Sequence, residues 1–251
     1  MDPILHDGER LADINERLRL ISREKGLTFG TDAFLLSCFC REAKRARAAD
    51  FGCGTGVISL LLAARERYAH VFAVEAQETF ASLTERNVQL NGFSDTVTVL
   101  SRDIRTLASA DFGGELDVIF TNPPYMRADT GYASPHGEKQ IARHEMLGDL
   151  SDFTAAAARC LRYGGSLYVV YRPDRLETLF AALRGAKFAP KRMLFVQDAP
   201  DKGPSMVLCE ARLGGGEGLV LLPTLTLRDA AENGAPLTPR AQRIYDTGNV
   251  E

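Results

Sequence analysis

From about residue 46 the chain alternates short apolar runs with longer amphipathic ones, the pattern of a mostly parallel α/β sheet whose strands are joined by helices. Ala46 to Phe51 reads as the first strand of this region, Gly52 to Gly56 as a tight turn, and Val57 to Arg67 as a helix with Ile58, Leu61 and Leu62 on its apolar face. His70 to Val74 is the next strand. Glu78 to Leu90 follows as a helix ended by Asn91-Gly92, since both residues tolerate the left-handed backbone of a helix C-terminus. Val97 to Leu100 and Leu116 to Phe120 are further buried strands. A long polar loop then leads to a helix (Leu150 to Leu161), a break at Gly164-Gly165, a strand (Leu167 to Tyr171) and a helix (Asp174 to Leu183). Met193 to Gln197 and Met206 to Ala211, joined by a segment rich in Pro, Asp and Gly, predict an antiparallel hairpin. Leu219 to Leu227 is one more apolar piece, and no element is assigned to the polar residues after it.

The expected organisation is one principal domain: an extension over 1–45 packed on a core of 46–213, with a tail over 214–251. At 251 residues, 45% hydrophobic and 25% charged, the chain can bury one sizeable core. No apolar run approaches the roughly 20 residues of a membrane helix, and the N-terminus lacks the apolar stretch of a signal peptide. A cytoplasmic protein is expected. Five scattered cysteines, an odd number, read as free thiols with no zinc site and no other metal. The net charge of −3 supplies no global field for nucleic acid, so RNA binding would need a local basic patch.

Asp50-Phe51-Gly52-Cys53-Gly54-Thr55-Gly56 lies between a predicted strand and helix, at the sheet edge where open α/β folds bind ligands. Glycine lets a cofactor lie against the backbone. Three glycines alone fit an ordinary turn or a dinucleotide loop about equally well, but their alternate spacing departs from G-x-G-x-x-G, and no P-loop lysine follows. The next strand ends in Glu75, whose carboxylate can accept from both hydroxyls of a ribose. At the end of the following strand the Asp103 carboxylate can accept from an adenine amino group while the Ile104 N–H donates to the ring. Each acid alone reads as a surface residue; together with the turn they outline an adenosine-shaped site.

Asn122-Pro123-Pro124-Tyr125 directly follows the strand Leu116 to Phe120, which puts it at the same edge. The prolines stiffen the segment in extended geometry. The Asn122 side-chain carbonyl and the Pro123 backbone carbonyl can then meet the two hydrogens of one amino group, and Tyr125 can stack on the acceptor's flat face. An isolated tetrapeptide of this kind is more often a proline turn that merely ends a strand. Phe29-Gly30-Thr31-Asp32, before the core, is a polar turn ahead of a short apolar helix, with Thr31 or Asp32 as its N-cap. The loop over 126–148 is too long for a simple connection and interleaves Arg127, Tyr132, His136, Lys139, Arg143 and His144. Further cationic candidates for RNA contact are Arg17, Arg19, Arg23, Lys25, Arg41, Lys44 and Arg45; the plainer reading is that they compensate 33 acidic residues.

Over roughly residues 45–212 these features resemble the class I S-adenosylmethionine-dependent methyltransferases, which implies a Rossmann-like sheet with helices on both faces and the C-terminal hairpin. The resemblance implies that Asp50, Gly52, Gly54 and Gly56 hold the methionine moiety, Glu75 the ribose, and Asp103 with Ile104 the adenine. Asn-Pro-Pro-Tyr matches the signature of amino and amide methyltransferases, which covers adenine, guanine and glutamine acceptors alike. With Phe29 to Asp32, Ile141 to Glu145 and Gly218-Leu219 to Pro223, nearly the whole chain is similar to the bacterial tRNA1(Val) adenine N6-methyltransferases. That similarity implies a tRNA partner and a catalytic Asn122, Pro123 and Tyr125. It also implies that Thr31, Asp32 and Asn122 border the cofactor pocket, and that Pro124, Tyr125, Arg127, Lys139, Arg143 and His144 contact the substrate. The run Gly214 to Glu217 departs from the family pattern. The alternatives are a release-factor-type glutamine N5-methyltransferase, which ordinarily carries a helical domain ahead of the fold, an rRNA amino-group methyltransferase, or an inactive RNA-binding or adenosine-sensing module.

Overall fold

The computed structural model describes residues 3–15, 17–24, 30–124, 148–232 and 234–250. A hairpin of β1 (Glu9–Asn15) and β2 (Leu18–Arg23) precedes α1 (Thr31–Phe39). Then come β3 (Ala43–Phe51), α2 (Val57–Ala64), β4 (Tyr68–Glu75), α3 (Glu78–Leu90), β5 (Val97–Ser101) and β6 (Leu116–Thr121). After the motif segment follow α4 (Leu150–Cys160), β7 (Leu161–Tyr171), α5 (Leu176–Gly185), β8 (Phe188–Gln197) and β9 (Met206–Leu213). Two short strands, β10 (Val220–Leu221) and β11 (Leu225–Thr226), and α6 (Pro239–Thr247) complete the chain.

The main sheet runs β10-β8-β9-β7-β6-β3-β4-β5, with β11 also on β8. β3 to β7 are mutually parallel, and β9 enters antiparallel between β7 and β8. The expected mostly parallel sheet and C-terminal hairpin are therefore observed. One apolar cluster packs α1, α2 and α6 on one face of the sheet, with Leu35, Leu36, Leu62 and Ala241 fully or almost fully buried; a second packs α4 and α5 on the other around Phe153, Ala157 and Leu179. Helices thus cover both faces. Parallel strands buried in this way expose all their carboxyl ends at one edge, and the neighbours of β3 leave in opposite directions along the sheet.

Two of these readings change. Gly164-Gly165 does not break the chain: both lie within β7, where the register jumps from Leu116↔Leu161 to Val118↔Ser166. A Cβ on Gly165 would sit 2.9 Å from the Arg162 carbonyl oxygen, so the glycine serves the close backbone approach of a bulge. The N-cap of α1 is Gly30, with no side-chain cap bond; Thr31 and Asp32 are already in the first turn. α3 ends at Asn91-Gly92 as expected, with Gly92 the left-handed residue (φ 72°), and Asn91 uses its side chain to bind both backbone groups of Arg19. Among the described residues no helix is long and apolar enough to cross a membrane, and no cluster could hold a metal ion.

The tail closes over α1. Tyr245 stacks on Phe34 with centroids 4.5 Å apart and planes 10° from parallel, Arg65 covers Phe34 at 5.2 Å, and Arg67 donates to the Gly248 carbonyl at 2.6 Å. Tyr245→Ala is expected to lower the free energy of unfolding by about 1–2 kcal/mol, because a stacked pair contributes beyond its buried area. Urea unfolding of the two proteins measures this, and an unchanged midpoint would remove the tail from the stability of the core.

Candidate active site

β3 and β6 are hydrogen-bonded neighbours (Ala48↔Val118, Asp50↔Phe120), so the glycine turn and the Asn-Pro-Pro segment leave the sheet side by side. Gly52, Gly54 and Gly56 have φ of 73°, 59° and 80°. Their first requirement is therefore conformational, since side-chain-bearing residues rarely adopt these angles. At Gly54 a Cβ would meet nothing within 4 Å among the described residues; at Gly56 it would stand 2.6 Å from the Thr84 methyl. The turn is pinned from two sides. Gly52 and Cys53 donate to the Val74 carbonyl at 2.9 and 3.0 Å, while on α3 Thr84 donates to the Gly54 carbonyl (2.7 Å) and Asn87 to that of Thr55 (3.0 Å). Thr84 and Asn87 are fully buried and were missed in the sequence, where their i, i+3 spacing on the face of α3 that also carries Val88 was the available signal.

The acids take three different environments. Asp50 is fully buried: its Oδ2 accepts from Ser59 Oγ at 2.9 Å, and its Oδ1 has no hydrogen-bond partner among the described residues. Burial pushes its pKa up to about 7, against the pull of the Ser59 bonds and with the help of the Glu75 charge. Glu75 is 4% exposed and accepts from the Gly54 and Gln77 N–H groups at 3.0 and 2.9 Å, which ties it to the glycine turn. Each of its oxygens retains a second lone pair. Asp103 caps a 3-10 turn (Ile104–Thr106) and is gripped by Arg105, whose guanidinium reaches both carboxylate oxygens at 2.6–3.0 Å and holds its pKa below the ordinary value. Ile104 is buried. Pairing of Phe51 with Val74 and of Glu75 with Ser101 sets the turn, Glu75 and Asp103 in a row along one edge.

On the β6 side, Thr121 Oγ1 donates to the Phe51 carbonyl at 2.8 Å, locking the base of the motif to the base of the turn. Asn122 donates its side-chain N–H to Asp32 Oδ2 at 2.8 Å. Thr31 and Asp32, at the start of α1, are thereby brought to the motif. Pro123 is buried, and Asn122 and Pro124 are half-buried. Tyr125, Arg127, Lys139, Arg143 and His144 lie outside the described residues, as do Tyr132, His136, Lys25 and Phe29. The other basic candidates divide. Arg23 covers the Phe80 ring at 5.6 Å, at the start of α3 and hence on the reactive edge. Arg41, Lys44 and Arg45 stand at the beginning of β3, a nine-residue strand of about 30 Å, and so at the opposite edge; Arg41 faces Glu210 at 3.6 Å and Lys44 faces Glu42 at 3.7 Å. Arg19 is likewise held at the far end of α3 by Asn91, with Arg17 close by in the chain.

A family model described as Methyltransferase small domain matches residues 22–183, from the end of β2 through the turn, both outer acids and the motif into α5. The tRNA1(Val) (adenine(37)-N6)-methyltransferase of Porphyromonas gingivalis is 30% identical over 189 residues, 73% of each chain. That of Dyadobacter fermentans is 31% identical over 170 residues, covering 67% of this chain and 69% of the relative. The chain belongs to this methyltransferase family. Solved structures show the same fold at lower identity. A predicted O-methyltransferase from Agrobacterium tumefaciens superposes with a TM-score of 0.70 at 22% identity over 88% of this chain and 98% of its own. M. jannaschii TYW2 in complex with AdoMet gives 0.55 at 12% identity over 84% and 88%.

The Asp50 environment has a measurable consequence for this member of the methyltransferase family. The folded chain keeps a proton on Asp50 up to about pH 7, whereas the unfolded chain releases it near 3.8, so this group's contribution to stability is fully present below about pH 4 and is lost as pH rises through 7. Asp50→Asn should flatten that decline. Urea unfolding from pH 4 to 8 checks this, and an identical slope in both proteins would mean that Asp50 does not titrate in the window.

Proposed function

We propose that the chain transfers a methyl group from S-adenosylmethionine to N6 of an unpaired adenine in a tRNA anticodon loop. The observation that carries this reading is the adjacency of the Asn122-Pro123 segment to the glycine turn across the β3–β6 pair, in a chain whose family relatives are named for that reaction. The residues present suit the cofactor: among the described residues Asp50 Oδ1 is a buried acceptor lacking a partner and a Cβ at Gly54 would meet nothing within 4 Å, while Glu75 has acceptor capacity left for ribose hydroxyls. For adenine the fit at Asp103 requires sharing its carboxylate with Arg105, which leaves the Ile104 backbone as the second contact.

When bound, S-adenosylmethionine supplies an electrophilic methyl group on a sulfonium. The chain's task is to present a weak nucleophile to it. The lone pair of an exocyclic adenine nitrogen is delocalised into the ring, and two converging acceptors, the Asn122 and Pro123 carbonyls, favour a more pyramidal nitrogen with its lone pair turned outward. With the cofactor bound, its methyl group would pass to that nitrogen with the thioether as leaving group, and the alkylated nitrogen, then acidic, would give its proton to water, so that the chain need supply no strong base. Tyr125 stacks on the ring, and the cationic, aromatic segment over 126–148 takes the surrounding nucleotides. An anticodon loop suits this arrangement because its bases swing out at little cost compared with a duplex.

Asn122→Ala should reduce kcat on the order of 10²-fold, as the loss of one transition-state hydrogen-bond partner does elsewhere, while calorimetry shows cofactor affinity within about twofold of wild type. Near-normal turnover would rule out the two-acceptor arrangement. Purified protein, labelled cofactor and undermodified tRNA should yield N6-methyladenosine, and a tRNA carrying guanine at the acceptor position should take up no label. Label in a release-factor glutamine instead would assign the motif to an amide acceptor.

A further inference from the structure

The amide of Asn122 can serve as an acceptor in only one of its two orientations. Turned by 180° about its last torsion it would offer N–H groups to an amino group that is itself a donor, and an amide has little intrinsic preference between the two. Asp32 removes the ambiguity. Its Oδ2 stands 2.8 Å from Asn122 Nδ2, and a carboxylate only accepts, so the reversed amide would set oxygen against oxygen. The other oxygen, Oδ1, accepts from the Ala33 N–H at 2.9 Å, which fixes the carboxylate to the first turn of α1.

The surroundings are shaped for this contact. Gly30 has an ordinary extended φ of −105°, which any residue adopts, so its backbone does not call for glycine. Space does: a Cβ at Gly30 would lie 2.3 Å from Asp32 Oδ1. The helix that carries Asp32 is itself held firmly, by the Phe34–Tyr245 stack at one end and by Arg192, which donates to the Phe39 carbonyl at 2.6 Å, at the other.

Resting on the amino-methyltransferase reading above, we infer that Asp32 is a positioning residue for the reaction. It locks the Asn122 amide with its carbonyl turned from Asp32 toward the acceptor side, and its charge polarises that amide into a stronger acceptor. This differs from a role as cofactor ligand, which nearness to the pocket would otherwise suggest.

The test uses the full-length protein and the variants Asp32→Ala, Gly30→Ala, Asn122→Ala and the double variant Asp32→Ala/Asn122→Ala. Asp32→Ala should lower kcat by about 10- to 100-fold, with the cofactor Kd and the tRNA KM within about twofold of wild type. Gly30→Ala, which keeps the charge and displaces only the end of a side chain, should reproduce part of that loss with its melting temperature nearly unchanged. On the Asn122→Ala background, removing Asp32 should cost nothing more. A loss of cofactor affinity in Asp32→Ala, or an equal penalty on both backgrounds, overturns the inference. Side-chain amide NMR reads the pair whatever the acceptor: the Asn122 signals, assigned by their loss in Asn122→Ala, should shift in Asp32→Ala, and unmoved signals overturn it too. Absence of methyl transfer to tRNA by the wild type, with those signals shifting, would instead strike the acceptor reading and leave the pair intact.

Discussion

Everything that gives this chain a reactive edge depends on β3 running parallel to, and hydrogen-bonded between, β4 and β6. A strand in that position delivers its carboxyl end to a crevice from which one neighbour's connection leaves to the left and the other's to the right. The glycine turn fills the crevice from β3, Glu75 flanks it from β4, and the Asn-Pro-Pro segment arrives from β6. No loop has to travel to bring them together. The hydrogen bond from Thr121 to the Phe51 carbonyl shows how tight the constraint is, since it joins the last residues of two strands immediately before their functional segments begin.

The second requirement is that the turn keep its shape, and here the N-terminal hairpin acts as part of the site. Asn87 binds both the N–H and the carbonyl of Ile21 on β2 while donating to the Thr55 carbonyl in the turn. One buried side chain thus joins the hairpin, α3 and the glycine turn. Unpaired, those buried amide groups would each cost about 1–3 kcal/mol, so the polar contacts hold the turn in a single conformation.

The elements from β3 to β9 were legible because each is a short apolar run punctuated by glycine, proline or an acid, and the edge chemistry was legible because it directly follows those runs. The hairpin over Glu9–Arg23 was not, since its alternation is diluted by charged residues on a half-exposed ribbon. For α6 the signals were present, with Thr238 as cap, Pro239 at the first turn and Gly248 after the end, yet nine residues with few apolar positions give almost no periodicity. Arg41, Lys44 and Arg45 lie close in sequence to the glycine turn but one strand length away in space, a distinction that charge patterns do not carry. The Asp32–Asn122 bond spans 90 residues and was likewise beyond any local pattern.

The reactive edge must also accept two ligands of opposite charge, a sulfonium cofactor and an anionic RNA, beside a row of three carboxylates. Left bare, that row would repel phosphates over about a Debye length. The acids sit in three different environments. Asp103 is paired with Arg105, Glu75 is buried with its oxygens on backbone N–H groups, and desolvation leaves Asp50 about half protonated at pH 7. The negative field of the row is thus reduced at Asp103 and at Asp50, while its oxygens keep capacity to accept hydrogen bonds. The row also lies on the β3–β5 half of the edge, with the Asn-Pro-Pro segment on its β6 side. Pairing one acid with a cation and desolvating another lowers the negative field at this edge, in a chain whose net charge is itself negative.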